Sequence, residues 1–361
     1  MAGPDPALAF DMIVVGSGGG PHETNLSSYL LKPYGAEWDA GIVALEAGSG
    51  QGTLNRLLEL EPNLFVGKDG VTRTYSASEV YSFVRCFLIT HAHLDHISSL
   101  VLSTGALGGE RKRVYAVKET LEDLESVFSW RIWPKLASYD ENDEDYKLLY
   151  SPLVPDGKYH TVFPNISVQA VPINHGTNEL GPYASAAFFL RSDSHPSKRE
   201  FLFFGDVEPD SVASTTTKTI NVWRKAAPMI PHTLSTIFIE CSWPSGRQDD
   251  MLHGHLSPEH LRDELVALAT EVYFARRGPS SSQSTSRQPQ RKRQKRNPPS
   301  HDLRGVLMGV RVYIIHVKDQ PAQVHGIPIR EVVVGQVKSL IQEAGLGVEI
   351  LLADQGMHIT I

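Results

Sequence analysis

Cysteine is nearly missing: Cys86 and Cys241 are the only two in 361 residues. Two distant cysteines build neither a disulfide framework nor a cysteine zinc ribbon, so a reducing, cytoplasmic compartment is the expected one. Long apolar runs are missing as well. No stretch approaches the roughly 20 residues of a transmembrane helix, and the first ten residues lack the basic and apolar regions of a secretory signal. The expectation is a soluble protein without membrane contact. Surplus positive charge is also absent. A formal net charge of −7 argues against a general nucleic-acid coat, and nucleic acid is not expected as a partner. No internal repeat is visible. With 41% hydrophobic residues the chain can bury a sizeable core, and 1–361 is read as one domain.

What is present is unevenly placed. Residues 276–302 hold no aliphatic, aromatic, methionine or cysteine side chain. Eight lysines and arginines against Asp302 give this segment +7, so the rest of the chain carries −14 of the total −7. Such a segment cannot repay its ordering entropy by burial and is read as a disordered insertion. Its run Arg291-Lys292-Arg293-Gln294-Lys295-Arg296 has the composition of a nuclear-import address or a nucleic-acid patch, although most such runs are merely solvated.

Apolar runs mark the strands. Residues 11–15 form a buried first strand leading into Gly16-Ser17-Gly18-Gly19-Gly20-Pro21. In dinucleotide-binding register Pro21 falls where close helix–strand packing wants glycine, and strand-like residues follow. The segment is therefore read as a tight glycine turn beside a cleft. Residues 41–45 are a strand ending at Glu46; helices follow near 53–60 and 77–84. Residues 119–137, with Leu121, Leu124, Phe128 and Ile132 at near-helical spacing, are expected to form one helix. Further strands are expected at 168–171, 184–190, 201–204, 235–239 and 310–315. A helix starts at Ser257-Pro258, another ends at Gly345, and 348–353 is read as the closing strand.

The chemistry concentrates in His91-Ala92-His93-Leu94-Asp95-His96, directly after the apolar run 87–90. No folding requirement calls for three imidazoles beside a carboxylate, which would repel and desolvate one another without a cation. A tight turn of this pattern can aim two imidazoles at one metal, and a carboxylate and a third imidazole at a second. His175, Asp206, Glu240 and His316 each stand at or just past the end of another apolar strand. A single strand-end histidine is more often structural, but the set in this order is a different matter. His91, His93 and His175 are assigned to one metal, Asp95, His96 and His316 to the other, and Asp206 to a bridge between them. The donor set suits two divalent ions, zinc above all, with manganese or iron open at the second position.

This order of ligands resembles the metallo-β-lactamase fold. The longer string His91-Ala92-His93-Leu94-Asp95-His96-Ile97-Ser98-Ser99-Leu100-Val101-Leu102-Ser103 is similar to the signature of the class II cyclic-nucleotide phosphodiesterases of fungi and microbes. Gly19-Gly20-Pro21, Glu23, Asn174-His175-Gly176, Phe204-Gly205-Asp206 and His316-Val317-Lys318 extend the resemblance, while Thr104 departs from that signature. The resemblance implies an α/β, αββα sandwich of two mixed sheets. It also implies hydrolysis of 3′,5′-cyclic AMP or cyclic GMP to the 5′-monophosphate, and a homodimer.

The leaving ribose oxygen needs a proton. Glu240 and His255 are the candidates to supply it, with Glu240 orienting the imidazole; Asp95 joins them as a catalytic residue. Gly254-His255-Leu256-Ser257 resembles a segment near the metals in related phosphodiester-cleaving proteins. The bland alternative packs His255 beside a helix cap and leaves Glu240 in a turn. His253 is a lesser substitute, and His22 and His260 are placed on the surface. Competing functions are another di-metal hydrolase of this fold (a tRNA 3′-processing nuclease, a lactonase or a thioesterase) or a non-catalytic scaffold.

Overall fold

The structure, a computed structural model, describes residues 8–65, 73–179, 181–213, 216–277, 300–319 and 326–361. The first half runs β1 (Phe10–Gly16), β2 (Ser28–Pro33), β3 (Ile42–Leu45), α1 (Gln51–Leu60), α2 (Ala77–Phe83) and β4 (Val84–Leu88). It continues with α3 (Leu94–Ser103), β5 (Lys112–Ala116), α4 (Lys118–Val127), β6 (Ala137–Ser138) and β7 (Leu148–Pro152). The second half has β8 (His160–Phe163), β9 (Ile166–Ile173), the short hairpin β10 (Thr177–Asn178) and β11 (Gly181–Pro182), β12 (Ser185–Ser192) and β13 (Glu200–Phe204). Then come α5 (Thr219–Ala226), β14 (Leu234–Glu240), α6 (Pro258–Arg277), β15 (Arg311–Ile315), α7 (Ile329–Ala344), β16 (Glu349–Leu352) and β17 (His358–Thr360).

Two large mixed sheets pack face to face. One has the order β17-β1-β2-β3-β4-β5-β7-β6, the other β16-β15-β14-β13-β12-β9-β8. Period-two alternation explains why three cores form. Phe10, Met12 and Val14 of β1 point between the sheets, whereas Ile13 and Val15 point out under α1–α4. In β14, Phe238 faces the inter-sheet core and Ile237 and Ile239 face α5–α7. Strands buried on both faces read as continuous apolar runs, which is why they were visible in the sequence. The result is the expected layered sandwich with helices on both outer faces.

Aromatic side chains lock the two sheets together. Phe238 stacks on Tyr313 of the neighbouring strand with centroids 4.9 Å apart, and meets Phe201 and Phe203 at 5.9 and 6.0 Å. Across the interface, Tyr29 and Phe10 of the first sheet meet Phe203 and Phe201 edge-on at 5.2 and 5.1 Å. Such pairs add about 0.5–1.5 kcal/mol each beyond burial.

Three boundaries differ from the sequence expectation. The helix expected over 119–137 stops at Val127: Trp130 takes a left-handed φ of 68° and Ile132 is 69% exposed. Leu121, Leu124 and Phe128 are buried, so the apolar spacing was real, but the last position of the pattern has no core to meet. Strand β16 does not close the chain, because β17 follows and pairs antiparallel with β1. The segment read as an insertion over 276–302 has ordered ends. Arg276 and Arg277 belong to α6, and 300–303 form a 3₁₀ turn; residues 278–299, with the basic run 291–296, lie outside those described. Among the described residues no helix is long and apolar enough to cross a membrane.

Truncating Phe238 to alanine should cost about 3–5 kcal/mol, since it opens a void between rigid sheets. Urea titration followed by fluorescence should show a lower midpoint with an unchanged slope.

Candidate active site

Strand direction brings the candidates together. β13, β14 and β15 run parallel, and β9 shares their direction because it and β13 are both antiparallel to β12. Four C-terminal ends therefore lie along one edge and deliver His175, Asp206, Glu240 and His316. The facing sheet contributes β4, after which Ile89 and Thr90 lead to His91. His93 is the extended N-cap residue of α3, so Asp95 and His96 fall on its first turn.

That turn is held by the loop after β3. Ala47 donates its N–H to the His96 carbonyl at 2.7 Å and accepts from the N–H of Ser99 at 2.9 Å. Gly48 is required here, because a Cβ would lie 2.0 Å from the Asp95 carbonyl oxygen. Gly19 plays the same part across the site: its Cβ would stand 2.6 Å from the His316 ring. The glycine-rich turn thus backs a histidine ring.

Asp206, only 2% exposed, sits at the centre. Its Oδ2 is 3.5 Å from His91 Nε2 and 3.6 Å from His175 Nε2, and His93 Nδ1 lies 3.1 Å from His175 Nε2. Its Oδ1 is 3.3 Å from both His96 Nε2 and His316 Nε2, and His316 Nε2 is 3.1 Å from Asp95 Oδ2. Two groups of donors result around Asp206, His91–His93–His175–Asp206 and Asp95–His96–Asp206–His316, and each could hold a metal ion; Glu240, His255 and His316 form a third, smaller group beside them.

The surrounding hydrogen bonds prepare lone pairs for a cation. His175 Nδ1–H donates to the Gly254 carbonyl at 2.9 Å, and His316 Nδ1 has Ser242 Oγ at 3.0 Å. His91 Nδ1 has Thr90 Oγ1 at 3.0 Å. With each Nδ1 engaged, each Nε2 turns a lone pair inward. His96 Nε2 and His316 Nε2 stand 3.0 Å apart, and the buried His91 Nε2 and Asp206 Oδ2 have no hydrogen-bond partner among the described residues. Inward lone pairs and orphaned buried atoms fit divalent cations and leave a purely hydrogen-bonded cluster unsatisfied.

Electrostatics say the same. Burial drives His91 well below its usual range and takes His175 down to about 3. Burial also opposes charge on His96, yet the carboxylates of Asp206 and Glu46 hold it well above the usual value. Against its own burial, Asp206 is kept well below the carboxylate range by His316, His96 and His91. The centre thus demands positive charge.

Glu240 and His255 also meet here. His255 Nδ1 lies 2.9 Å from Glu240 Oε1 and 3.7 Å from Asp206 Oδ2. Both are buried. Burial and the Asp206 charge push Glu240 up to about 7, and burial takes His255 down to about 3. Glu240 also accepts N–H bonds from Val207, Ser242 and Leu256 at 2.9, 3.2 and 3.3 Å, so it is a locked acceptor and not a turn residue. His253 is exposed and left-handed (φ 55°), His22 is exposed, and His260 is partly buried against Ser257 and Asp249.

Two supporting residues had no assigned role in the sequence reading. Glu46, left-handed at φ 58°, accepts from the Thr90 N–H at 3.2 Å and stands 3.5 Å from His96 Nδ1. Its signal was a carboxylate at a strand end. Ser242 Oγ donates to Glu240 Oε2 at 2.6 Å while touching His316 and His255, a link across 74 residues that no local pattern announces.

Known proteins resemble this chain in fold and in sequence. The unliganded yeast PDE1 crystal structure superposes with a TM-score of 0.78 at 24% identity, covering 98% of this chain and 100% of that one. The metallo-β-lactamase-fold protein YhfI from Bacillus subtilis gives 0.53 at 14% identity, covering 98% and 100%. At these identities the likenesses speak for the fold, which is that of the metallo-β-lactamases. A 3′,5′-cyclic-nucleotide phosphodiesterase of Schizosaccharomyces pombe is 31% identical over 280 residues, 73% of this chain and 76% of that protein. Residues 71–356 match the family model for class-II cAMP phosphodiesterases, and the chain belongs to that family.

Proposed function

We propose that the chain hydrolyses 3′,5′-cyclic AMP, and cyclic GMP with it, to the 5′-monophosphate, ending a cyclic-nucleotide signal. The observation that carries the reading is the Asp206 carboxylate, whose two oxygens face two separate histidine groups in a chain of this family. His91, His93 and His175 would hold one divalent ion, Asp95, His96 and His316 the other, with Asp206 shared. Nitrogen-rich donors at these spacings favour zinc. Two such ions, when bound, would supply an activated water and neutralise the charge that develops on the phosphoryl oxygens.

The remaining work falls to the protein's own side chains. Hydrolysis adds a water oxygen to phosphorus and breaks the bond to the ribose 3′ oxygen, which must take up a proton as it leaves. His255 is the group to deliver it: Glu240, pushed up to about 7, keeps a proton on the pair, so the ring presents Nε2–H to the leaving oxygen while Nδ1 takes up the proton from Glu240. Asp95 serves with them as ligand and orienting charge. A tRNA-processing activity fits less well, since outside the basic segment the chain is at −14, the wrong sign for a polyanion track. The homodimer implied by the resemblance belongs to this proposal, as does a cytoplasmic location; light scattering and cell fractionation read them.

Elemental analysis of purified protein should find about two divalent ions per chain. Chelators and Asp206→Ala should abolish cyclic AMP hydrolysis. Metallated protein that spared both cyclic nucleotides and cleaved RNA instead would sink the assignment. His255→Ala should lower kcat by about 10²- to 10⁴-fold with both ions retained, as measured by steady-state kinetics beside metal analysis.

A further inference from the structure

A cleft of about 550 Å³ opens beside Asp95, and the chemistry above makes no use of it. Pro21, Leu26, Leu94 and Trp243 give it an apolar lining, and Asp95 and Lys318 bring charge to the same walls. Leu94 is 70% exposed although it stands on the first turn of α3, between two of the candidate ligands. Folding gains nothing from leaving it there.

Trp243 is the rigid member of this lining. Its backbone N–H donates to the Leu256 carbonyl at 3.2 Å, and its Nε1–H donates to the Leu252 carbonyl at 2.8 Å. The Arg247 guanidinium lies 3.6 Å from the indole centroid. Arg247 thus covers one face of the indole, and Trp243 lines the cleft. A ring held at Nε1 and against Arg247 loses little entropy when something packs on it.

A cyclic nucleotide has one anionic end and one large flat end. With its phosphate at the Asp206 centre, the flat end must go to an adjoining apolar surface. Asp95 belongs to both the donor cluster and the cleft wall, so centre and cleft adjoin. Lys318 Nζ, 3.9 Å from Asp95 Oδ2 and donating to the Gly19 carbonyl at 3.0 Å, puts positive charge where the two regions meet. We propose that this cleft receives the purine of the substrate, with the Trp243 indole as its stacking platform; the inference rests on the cyclic-nucleotide reading above. A rival platform is Tyr183, beside the β10–β11 hairpin, which is 38% exposed and edge-on to His93 at 4.7 Å but does not line the cleft.

The test is a comparison of AMP and ribose 5-phosphate binding to the purified, metal-loaded protein by calorimetry. Wild type should bind AMP about 10-fold more tightly or better, the scale of one base–aromatic stack. Trp243→Ala should erase that preference and Trp243→Phe should keep most of it. Trp243→Leu fills the volume without an aromatic face and serves the same purpose if the alanine variant fails to fold. In turnover, KM for cyclic AMP should rise in the alanine or leucine variant by more than kcat falls. An AMP preference that survives both substitutions, is missing in wild type, or vanishes in Tyr183→Ala instead, overturns the proposal. Wild type that shows the Trp243-dependent preference yet leaves cyclic AMP intact would support the cleft and overturn the reaction.

Discussion

A buried carboxylate with unpaired oxygen capacity is the constraint on which this structure depends. Asp206 lies at the meeting point of two sheets, 2% exposed, and its Oδ2 has no hydrogen-bond partner among the described residues. A charge in that position is costly unless it is neutralised by partners fixed beforehand. The fold provides them. His91 and His93 arrive from the first sheet and His175 and His316 from the second, so the cluster also joins the two halves of the sandwich where their strands end.

The shell around the cluster fixes atoms rather than residues. Gly254, Thr90 and Ser242 each engage an imidazole Nδ1 and thereby aim its Nε2 inward. Ser242 also ties Glu240 to His316, so the proposed proton-delivering pair and one proposed ligand share a hydroxyl. Glu46 and His316 adopt left-handed backbone conformations that cost non-glycine residues about 1–2 kcal/mol each. Both flank the centre. Strain held at that place is consistent with a site whose geometry is imposed by the surrounding sheets.

The candidate constellation was legible because its members follow apolar strands, and alternation or continuity of apolar residues is a local property. Asp206 after Phe201-Leu202-Phe203-Phe204 and His316 after Val312-Tyr313-Ile314-Ile315 could be singled out for that reason. Helix length was less legible. Ile132 kept the spacing of Leu121, Leu124 and Phe128 but lies past the end of the surface that α4 covers. The strand β17 was missed because it is short, half exposed, and owes its existence to pairing with β1, more than 340 residues earlier.

The sequence by itself determined which side chains are candidates for the chemistry: the run from His91 to His96, the strand-end His175, Asp206, Glu240 and His316, and the Gly254-His255 pair. These follow from residue type and from periodicities spanning fewer than ten positions. Tertiary structure alone decided how they are shared out, with Oδ1 and Oδ2 of Asp206 facing different histidines. It also gave Glu46, Ser242 and Gly48 their tasks and opened the cleft against Trp243. The reason is physical: each of those facts depends on contacts between strands of two different sheets or across long loops, and the relative placement of such elements is set by packing, not by any local pattern.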